Sequence, residues 1–253
     1  MRVLNISVAS IIITMLSVTP ADAAEASNGI NWSVTPYIWA TETKFDLTAQ
    51  GTPIGEGKIK FDDLLDTTDA SFQIVVEAGR EGGHWSGFVD ATYLDSSDKY
   101  TGQLLRIETD SEQWFVDAAI AWWPWSEAGG FNVFAGVRYT DLDDAFDVDL
   151  IAENEQLPLA EFGAQRDFLD ALLGARYRID LSQRFSISTK ADYGFGDSDG
   201  IFLAQVVLQY AIGNDRRHKL CLGYRYKEAE LDQGGLEENY DYKGPLIGFN
   251  FRF

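Results

Sequence analysis

The chain repeats one pattern, a segment of about ten residues in which apolar and polar side chains alternate, followed by a break. A side-chain period of two is typical of a β-strand, because successive side chains point to opposite faces. In one segment Val133, Val137 and Tyr139 share a face, and Arg138 lies on the other. We therefore predict an all-β fold. Ten such segments lie near residues 31–41, 70–80, 84–95, 113–124, 131–142, 167–180, 184–195, 202–213, 218–228 and 243–253.

The connections between these segments alternate in length. Tight turns rich in Gly, Asn or Asp, such as 80–84 and 213–218, alternate with long polar connections. One rim of the fold therefore carries short turns, and the other carries the long connections. An even number of antiparallel strands with this arrangement is required of a transmembrane β-barrel. We expect long loops at about 42–69, 96–112, 143–166, 196–201 and 229–242.

Alternation alone does not decide which face lies inside, because a soluble barrel also alternates, with its apolar face inward. Ionisable residues in the middle of the segments all fall on the polar face, which favours a polar interior. Aromatic residues fall at the ends of the apolar face, as in the interfacial belts of membrane barrels. The mid-segment ionisable residues are Glu77, Asp90, Asp117, Arg138, Asp170, Arg176, Lys190, Asp192 and Arg225.

The last segment, KGPLIGFNFRF, places Ile247, Phe249, Phe251 and Phe253 on one face. This strand resembles the C-terminal signature of outer-membrane β-barrel proteins of Gram-negative bacteria. The resemblance implies that Phe253 is recognised by the barrel-assembly machinery. The stretches WSVTPYIWA and GGHWSGFVDATY are similar to those of an uncharacterised family of small outer-membrane barrels, which carries no assigned activity. We expect a ten-stranded antiparallel transmembrane β-barrel in the cell outer membrane, in contact with its lipid and lipopolysaccharide.

The beginning of the chain predicts export. Arg2 is followed by an apolar stretch and then by Ala21-Asp22-Ala23, a pattern typical of a signal peptide cleavage site. We therefore expect a cleaved signal peptide at 1–23 and a single barrel domain at 24–253. The lone Cys221 excludes an internal disulfide bond.

Charge and motif content narrow the function. The formal net charge of −20 argues against a nucleic-acid partner, which would require a basic surface. No cofactor is expected. Asp141, Asp143 and Asp144 in one long connection, and Asp197 and Asp199 in the GDSDG stretch, are weak candidates for divalent cation ligands. They lack the spacing of a full calcium loop, and a solvated acidic surface is the simpler interpretation.

The two histidines argue against one class of enzyme. The omptin proteases and the lipid A acylases and deacylases, as families, place a catalytic histidine near the outer rim. His84 and His218 both flank short turns, which lie at the periplasmic rim. A histidine-dependent general base acting on surface lipid or peptide is therefore disfavoured. A hydrolase that uses carboxylates of the outer connections stays open.

The short turn at 125–130 sets a strand register. It places Asp117 directly opposite Arg138, with both side chains pointing inward, where they would form a cross-strand pair. With Arg252 added to the inward residues above, we predict a salt-bridged network that closes the lumen. The favoured hypothesis is a non-enzymatic protein with a structural or surface-interaction role. The alternatives are a narrow diffusion channel, in which the charges line a hydrated path, and the carboxylate hydrolase.

Overall fold

The computed structural model describes residues 29–49, 51–59, 71–80, 82–101, 105–125, 130–152, 155–233 and 236–253. The expected signal peptide and its boundary at residue 23 lie outside these ranges. No helix in the described part of the chain is long and apolar enough to cross a membrane. The strands are β1 Ile30–Trp39, β2 Glu42–Ala49, β3 Thr52–Ile59, β4 Ser71–Arg80, β5 Trp85–Thr101, β6 Leu105–Trp122, β7 Phe131–Ala152, β8 Glu155–Asp180, β9 Phe185–Gly196, β10 Gly200–Ile212, β11 His218–Gln233 and β12 Leu236–Arg252.

The sheet closes on itself into a barrel. Each of the strands β4 to β12 pairs antiparallel with the next, β4 pairs with β1, and β1 pairs back with β12. β12 also pairs with β2 further along its length, so β1 and β2 are two parts of one barrel strand, interrupted at Ala40 and Thr41. In the same way β3 pairs with β2 and β4 pairs with β1, so β3 and β4 are two parts of the next barrel strand. The structure is therefore a closed ten-stranded antiparallel barrel, and the predicted fold class is confirmed.

The expectation of long loops at one rim is wrong for most of the residues that the structure describes. β7 and β8 have 22 and 26 residues, and they remain paired up to Ala152 and Glu155. A membrane-spanning strand needs only about 9–11 residues. The strands therefore continue beyond the bilayer as a hydrogen-bonded wall, which we call the β-wall. The alternation of apolar and polar residues in the sequence does not reveal these strand extensions. Outside the lipid neither face of a strand must be apolar, although its backbone pairing continues.

The barrel is apolar outside and charged inside, as the sequence predicted. Ile120 and Leu173 on the outer surface are 62% and 52% exposed, whereas Arg138 and Asp170 are each 1% exposed. Aromatic side chains form two belts on the outer surface. Trp85, Trp122, Phe131, Tyr177, Phe185 and Tyr210 lie at the short-turn end, and Tyr93, Trp114, Tyr139, Tyr193 and Tyr226 lie towards the long hairpins.

Candidate functional site

The middle of the lumen is organised around Arg138 on β7. Its Nε and Nη2 donate to the two carboxylate oxygens of Asp117, at 2.7 and 2.8 Å, in the cross-strand register expected from the turn at 125–130. Its Nη2 also donates to Asp192 on β9 at 2.7 Å. Its Nη1 donates to the carbonyl oxygen of Ile201 at 3.2 Å. The guanidinium therefore connects β7 with three other strands, β6, β9 and β10, while buried from solvent.

Lys190 on β9 links the carboxylates to one another. Its Nζ lies 3.2 Å from Asp192 Oδ2 and 3.6 Å from carboxylate oxygens of both Asp90 and Asp117. Asp90 and Asp117 lie on β5 and β6, which are separated from β9 by other strands of the barrel. The Lys190 side chain therefore reaches into the lumen and contacts carboxylates of strands that are not adjacent to β9.

Arg225 on β11 completes the connection across the barrel. Its Nη2 lies 3.2 Å from Asp90 Oδ2, and its Nη1 donates to the hydroxyl of Tyr37 at 2.6 Å. The same hydroxyl donates to Asp90 Oδ1 at 2.8 Å, and Arg225 Nε donates to Gln205. We call this set of six ionisable residues the charge layer. It consists of Asp90, Asp117, Asp192, Arg138, Lys190 and Arg225.

The charge layer balances three carboxylates with three cations, and none of its side chains is more than 7% exposed. Ionised groups taken out of water are costly unless they are paired and hydrogen-bonded. Partners drawn from opposite walls pair these charges, although Lys190 Nζ and Asp192 Oδ2 make no hydrogen bond within the described part of the chain. The arrangement holds the side chains in place and leaves the layer without a net charge.

The other predicted network residues lie outside the charge layer. Arg176 makes a bidentate pair with Glu77, at 2.9 and 3.0 Å, nearer the short-turn rim. Asp170 instead accepts hydrogen bonds from the backbone and hydroxyl of Ser198, at 3.0 and 2.7 Å, and so holds the tip between β9 and β10. Arg252 lines the cavity at the short-turn end of the lumen.

An apolar layer fills the lumen on the outer side of the charge layer, and the sequence analysis did not predict it. Phe115 lies two residues beyond Asp117, and Trp39 lies two residues beyond Tyr37. The rings of Phe115 and Tyr242 meet edge to face, with centroids 5.7 Å apart. These residues belong to a buried cluster inside the barrel. Its members include Trp39, Phe115, Leu142, Phe168, Ile201, Leu231 and Tyr242.

A second group of charges lies further towards the outer rim. Arg166 on β8 pairs with Asp144 on β7 at 2.7 Å and with Glu238 on β12. Ser111 donates to the other carboxylate oxygen of Asp144 at 2.6 Å. Asp144 is thus an inward, paired residue.

The candidate cation ligands do not converge. Asp141 and Asp143 lie on the outer face of β7, opposite to the face that carries Asp144. Asp197 accepts a hydrogen bond from the backbone of Leu169 at 3.1 Å, and Asp199 lies in the same tip. Among the residues that the structure describes, no group of three or more His, Cys, Asp or Glu is arranged to hold a metal ion.

Both histidines lie at the short-turn end. His84 Nδ1 is 2.7 Å from the carbonyl oxygen of Trp123. The His218 ring packs beside Phe249 and Phe251, with centroids 6.3 and 5.9 Å away. They lie on different sides of this rim, among belt aromatics and turn backbone.

Sequence reasoning missed several residues of the site. Tyr37 and Lys227 both lie on the inward face, and Lys227 places its Nζ over the Phe115 ring. Arg166 and Glu238 fell within segments expected to be loops. These residues could have been found by continuing the alternation of inward and outward positions along each strand, beyond the point where the outward residues stop being apolar.

Comparison with known proteins supports the fold. No protein-family model matches the chain, and no curated protein matches it in sequence. The outer-membrane protease OmpT of Escherichia coli is 11% identical, with a TM-score of 0.55 over 90% of this chain and 98% of OmpT. Ail of Yersinia pestis is 9% identical, with a TM-score of 0.41 over 89% of this chain and 99% of Ail. At such identities the likeness concerns the fold alone.

The outer surface and the fold agree on where the protein resides. The closed barrel and its lipid-compatible exterior with two aromatic belts place the protein in the outer membrane. This is the location that the C-terminal signature predicted.

Proposed function

We propose that the protein is a non-enzymatic outer-membrane barrel with a closed lumen, which serves a structural or surface-interaction role. The observation that carries this proposal is the charge layer. Its ion pairs run from Lys190 on β9, through Asp90 on β5, to Arg225 on β11, so charged side chains bridge the lumen at this level. Continuous flow of solute would require these pairs to separate.

The size of the barrel supports closure. An eight-stranded barrel leaves an interior that side chains fill, whereas one of 16 or more strands leaves an aqueous channel. A ten-stranded barrel lies near the closed limit. Here Trp39, Phe115 and Tyr242 add an apolar layer to the charged one. A hydrated ion would lose water in this layer without gaining a polar partner.

The β-wall supports a role at the cell surface. The paired parts of β7 and β8 continue beyond the outer aromatic belt at Tyr139, up to Ala152 and Glu155. At about 3.4 Å per residue along a strand, this wall extends well past the bilayer. Arg166, with Asp144 and Glu238, braces its inner side at the base. Such a paired projection suits contact with other molecules outside the cell.

Two alternatives remain as outcomes of a test. A narrow diffusion channel would require the charge layer to open. A carboxylate hydrolase would require outer-rim carboxylates to act without histidine, since His84 and His218 lie at the opposite rim. An activity screen on lipid A and peptides tests the hydrolase, and any specific turnover lost in a carboxylate variant would support it.

Solute entry into proteoliposomes tests the closed lumen. Vesicles containing the refolded protein should swell in a small sugar no faster than protein-free vesicles. A variant that removes side chains from both layers, Asp117→Ala and Arg138→Ala with Phe115→Ala and Tyr242→Ala, should swell faster if it folds. The matched control changes outward residues of the same strands, Val116→Ala and Val137→Ala, and should behave as the unaltered protein. Rapid swelling of vesicles with the unaltered protein would overturn the proposal.

A further inference from the structure

The lumen opens into a cavity on the short-turn side of the charge layer. The cavity has a volume of about 240 Å³, and its lining runs from Gly83 and Gly130 at the turns to Lys190 at the charge layer. We call it the vestibule. Since the short turns of such barrels face the periplasm, the vestibule is accessible from that side.

The vestibule concentrates positive charge in a strongly acidic protein. Its lining carries more cations than carboxylates, although the whole chain has a net charge of −20. Its two carboxylates, Glu77 and Asp90, already pair with cations of the same lining. The lining cations include Arg176, Arg178, Lys190, Lys219, Arg225 and Arg252.

Lys219 on β11 is a vestibule cation whose hydrogen-bond partner is a neutral side chain. Its Nζ donates to the neutral side-chain oxygen of Gln209 at 3.0 Å. The positive charges of Arg178 and Arg252 act on it, together with the negative charge of Asp180. Arg178 Nε has a carboxylate oxygen of Asp180 at 3.4 Å, but the Asp180 side chain is 64% exposed and outside the vestibule lining. Like charges facing one cavity repel, and an anion between them would relieve the repulsion.

A buried hydrogen-bond donor points to the same kind of ligand. Asn132, which lines the vestibule, is 1% exposed, and its Oδ1 accepts from Arg176 Nε at 3.1 Å. Its Nδ2 has no hydrogen-bond partner among the described residues. A buried donor without an acceptor is unfavourable, so the site favours a ligand that brings acceptor oxygens.

We propose that the vestibule binds a phosphate group of a small molecule that enters from the periplasm. A phosphate monoester carries nearly two negative charges at neutral pH and several strong acceptor oxygens, which match Lys219, Arg178 and Asn132. The volume is below the roughly 300–1,000 Å³ of pockets for drug-sized ligands, so the ligand is small or inserts only its phosphate end. The binding site does not depend on whether the charge layer conducts.

Isothermal titration calorimetry on the refolded protein in uncharged detergent at low ionic strength tests this proposal. Inorganic phosphate and glycerol 3-phosphate are the two probes, which separate free phosphate from an organic monoester, and acetate is the comparison anion. We expect saturable binding of one or both phosphate probes at one site. The double variant Lys219→Gln with Arg178→Gln should weaken it about tenfold or more, because hydrogen bonds to charged groups are lost.

Two further variants make the result decisive. Arg217→Gln removes an exposed cation of the nearby turn outside the vestibule, and it should leave the affinity unchanged. Lys219→Gln alone serves if the double variant fails to fold, as judged by heat-modifiable migration. Absence of saturable phosphate binding, equal binding of acetate, or binding that the Lys219 variants leave unchanged would overturn the proposal. None of these outcomes would affect the closed lumen.

Discussion

Arg225 on β11 reaches across the barrel to Asp90 on β5, with 3.2 Å between Nη2 and Oδ2. The Tyr37 hydroxyl bridges the same two side chains, since it accepts from Arg225 and donates to Asp90. In a barrel, strands this far apart are connected only through the wall or through the lumen. The contact therefore makes the interior a structural element that ties the walls together.

The first prediction concerns the stability contributed by the charge layer. Arg138→Ala leaves Asp117 and Asp192 without their guanidinium partner, although Lys190 remains near both. Removing one member of a buried ion pair typically costs about 3–5 kcal/mol in the free energy of unfolding. Urea unfolding of the refolded protein, followed by tryptophan fluorescence, measures this change. Adding Asp117→Asn to Arg138→Ala should recover part of the loss.

A control for that experiment is Arg217→Ala, which removes an exposed arginine from the short turn between β10 and β11. Exposed ion pairs contribute about 0–1 kcal/mol, so its unfolding should stay close to that of the unaltered protein. If Arg138→Ala were equally harmless, the charge layer would not be a stabilising element.

The second prediction concerns pH. Asp141 lies directly opposite Asp167 on the outer face, beyond the belt residue Tyr139. Partial burial, together with the charges of Asp167 and Asp143, raises the pKa of Asp141 above its usual value. The folded protein then binds this proton more readily than the unfolded chain does. Its stability should therefore fall as the pH rises through the raised pKa.

Asp141→Asn removes this dependence. The variant should be more stable than the unaltered protein at neutral pH, and the difference should shrink as the pH is lowered. Thermal unfolding across a pH series measures it, with Asp215→Asn at the opposite rim as the control. If Asp141→Asn were instead less stable than the unaltered protein at neutral pH, the carboxylate of Asp141 would be stabilising and the prediction would be wrong.

The third prediction concerns assembly. Phe253 closes the barrel, since its backbone N–H donates to the carbonyl of Trp32 at 2.9 Å and its carbonyl accepts from Trp32 at 3.3 Å. Phe253 is 43% exposed, and its side chain lies on the lipid face. We propose that Phe253→Asp reduces the yield of heat-modifiable protein in the outer membrane, whereas Phe253→Trp preserves it. An unchanged yield for Phe253→Asp would remove the role of Phe253 as an assembly signal.

The fourth prediction concerns topology. Cysteine probes at Asp199, in the tip between β9 and β10, and at Asp215, in a short turn, report the two rims. The probes are placed on a Cys221→Ser background, although Cys221 is itself buried. In intact cells a membrane-impermeant reagent should label position 199 and not 215. Labelling at position 215 and not at 199 would show that the barrel has the opposite orientation in the membrane. Asp144 is unsuitable for this purpose, because it is buried and paired with Arg166.

The sequence predicted local features of this fold better than features that cross the lumen. The Asp117–Arg138 register follows from one tight turn and a period of two, and both are visible in the sequence. The contacts of Lys190 with Asp90 and Asp117 depend on how far each strand is shifted around the barrel. Strand tilt and shear set that shift, and no single hairpin reveals them.

The apolar layer was missed for a different reason. Phe115 and Phe168 lie on the same face as Asp117 and Asp170, and the charges of that face led to a prediction of a purely ionic network in the lumen. The side chains of a narrow barrel must fill its lumen, so large apolar residues on a charged face indicate packing across it. Similarly, Arg166 and Glu238 lay within the expected loops, but they occupy alternate positions that continue the inward face of their strands.

Single-channel recording of the unaltered protein in a planar bilayer tests the closed lumen most directly. With Asp90, Asp117 and Asp192 paired to Arg138, Lys190 and Arg225, the account predicts a flat baseline with no stable conductance steps after confirmed insertion. Confirmation of insertion can use the variant in which both layers are truncated, which should conduct under the same conditions. Large, stable steps from the unaltered protein would contradict the account and would favour a diffusion channel.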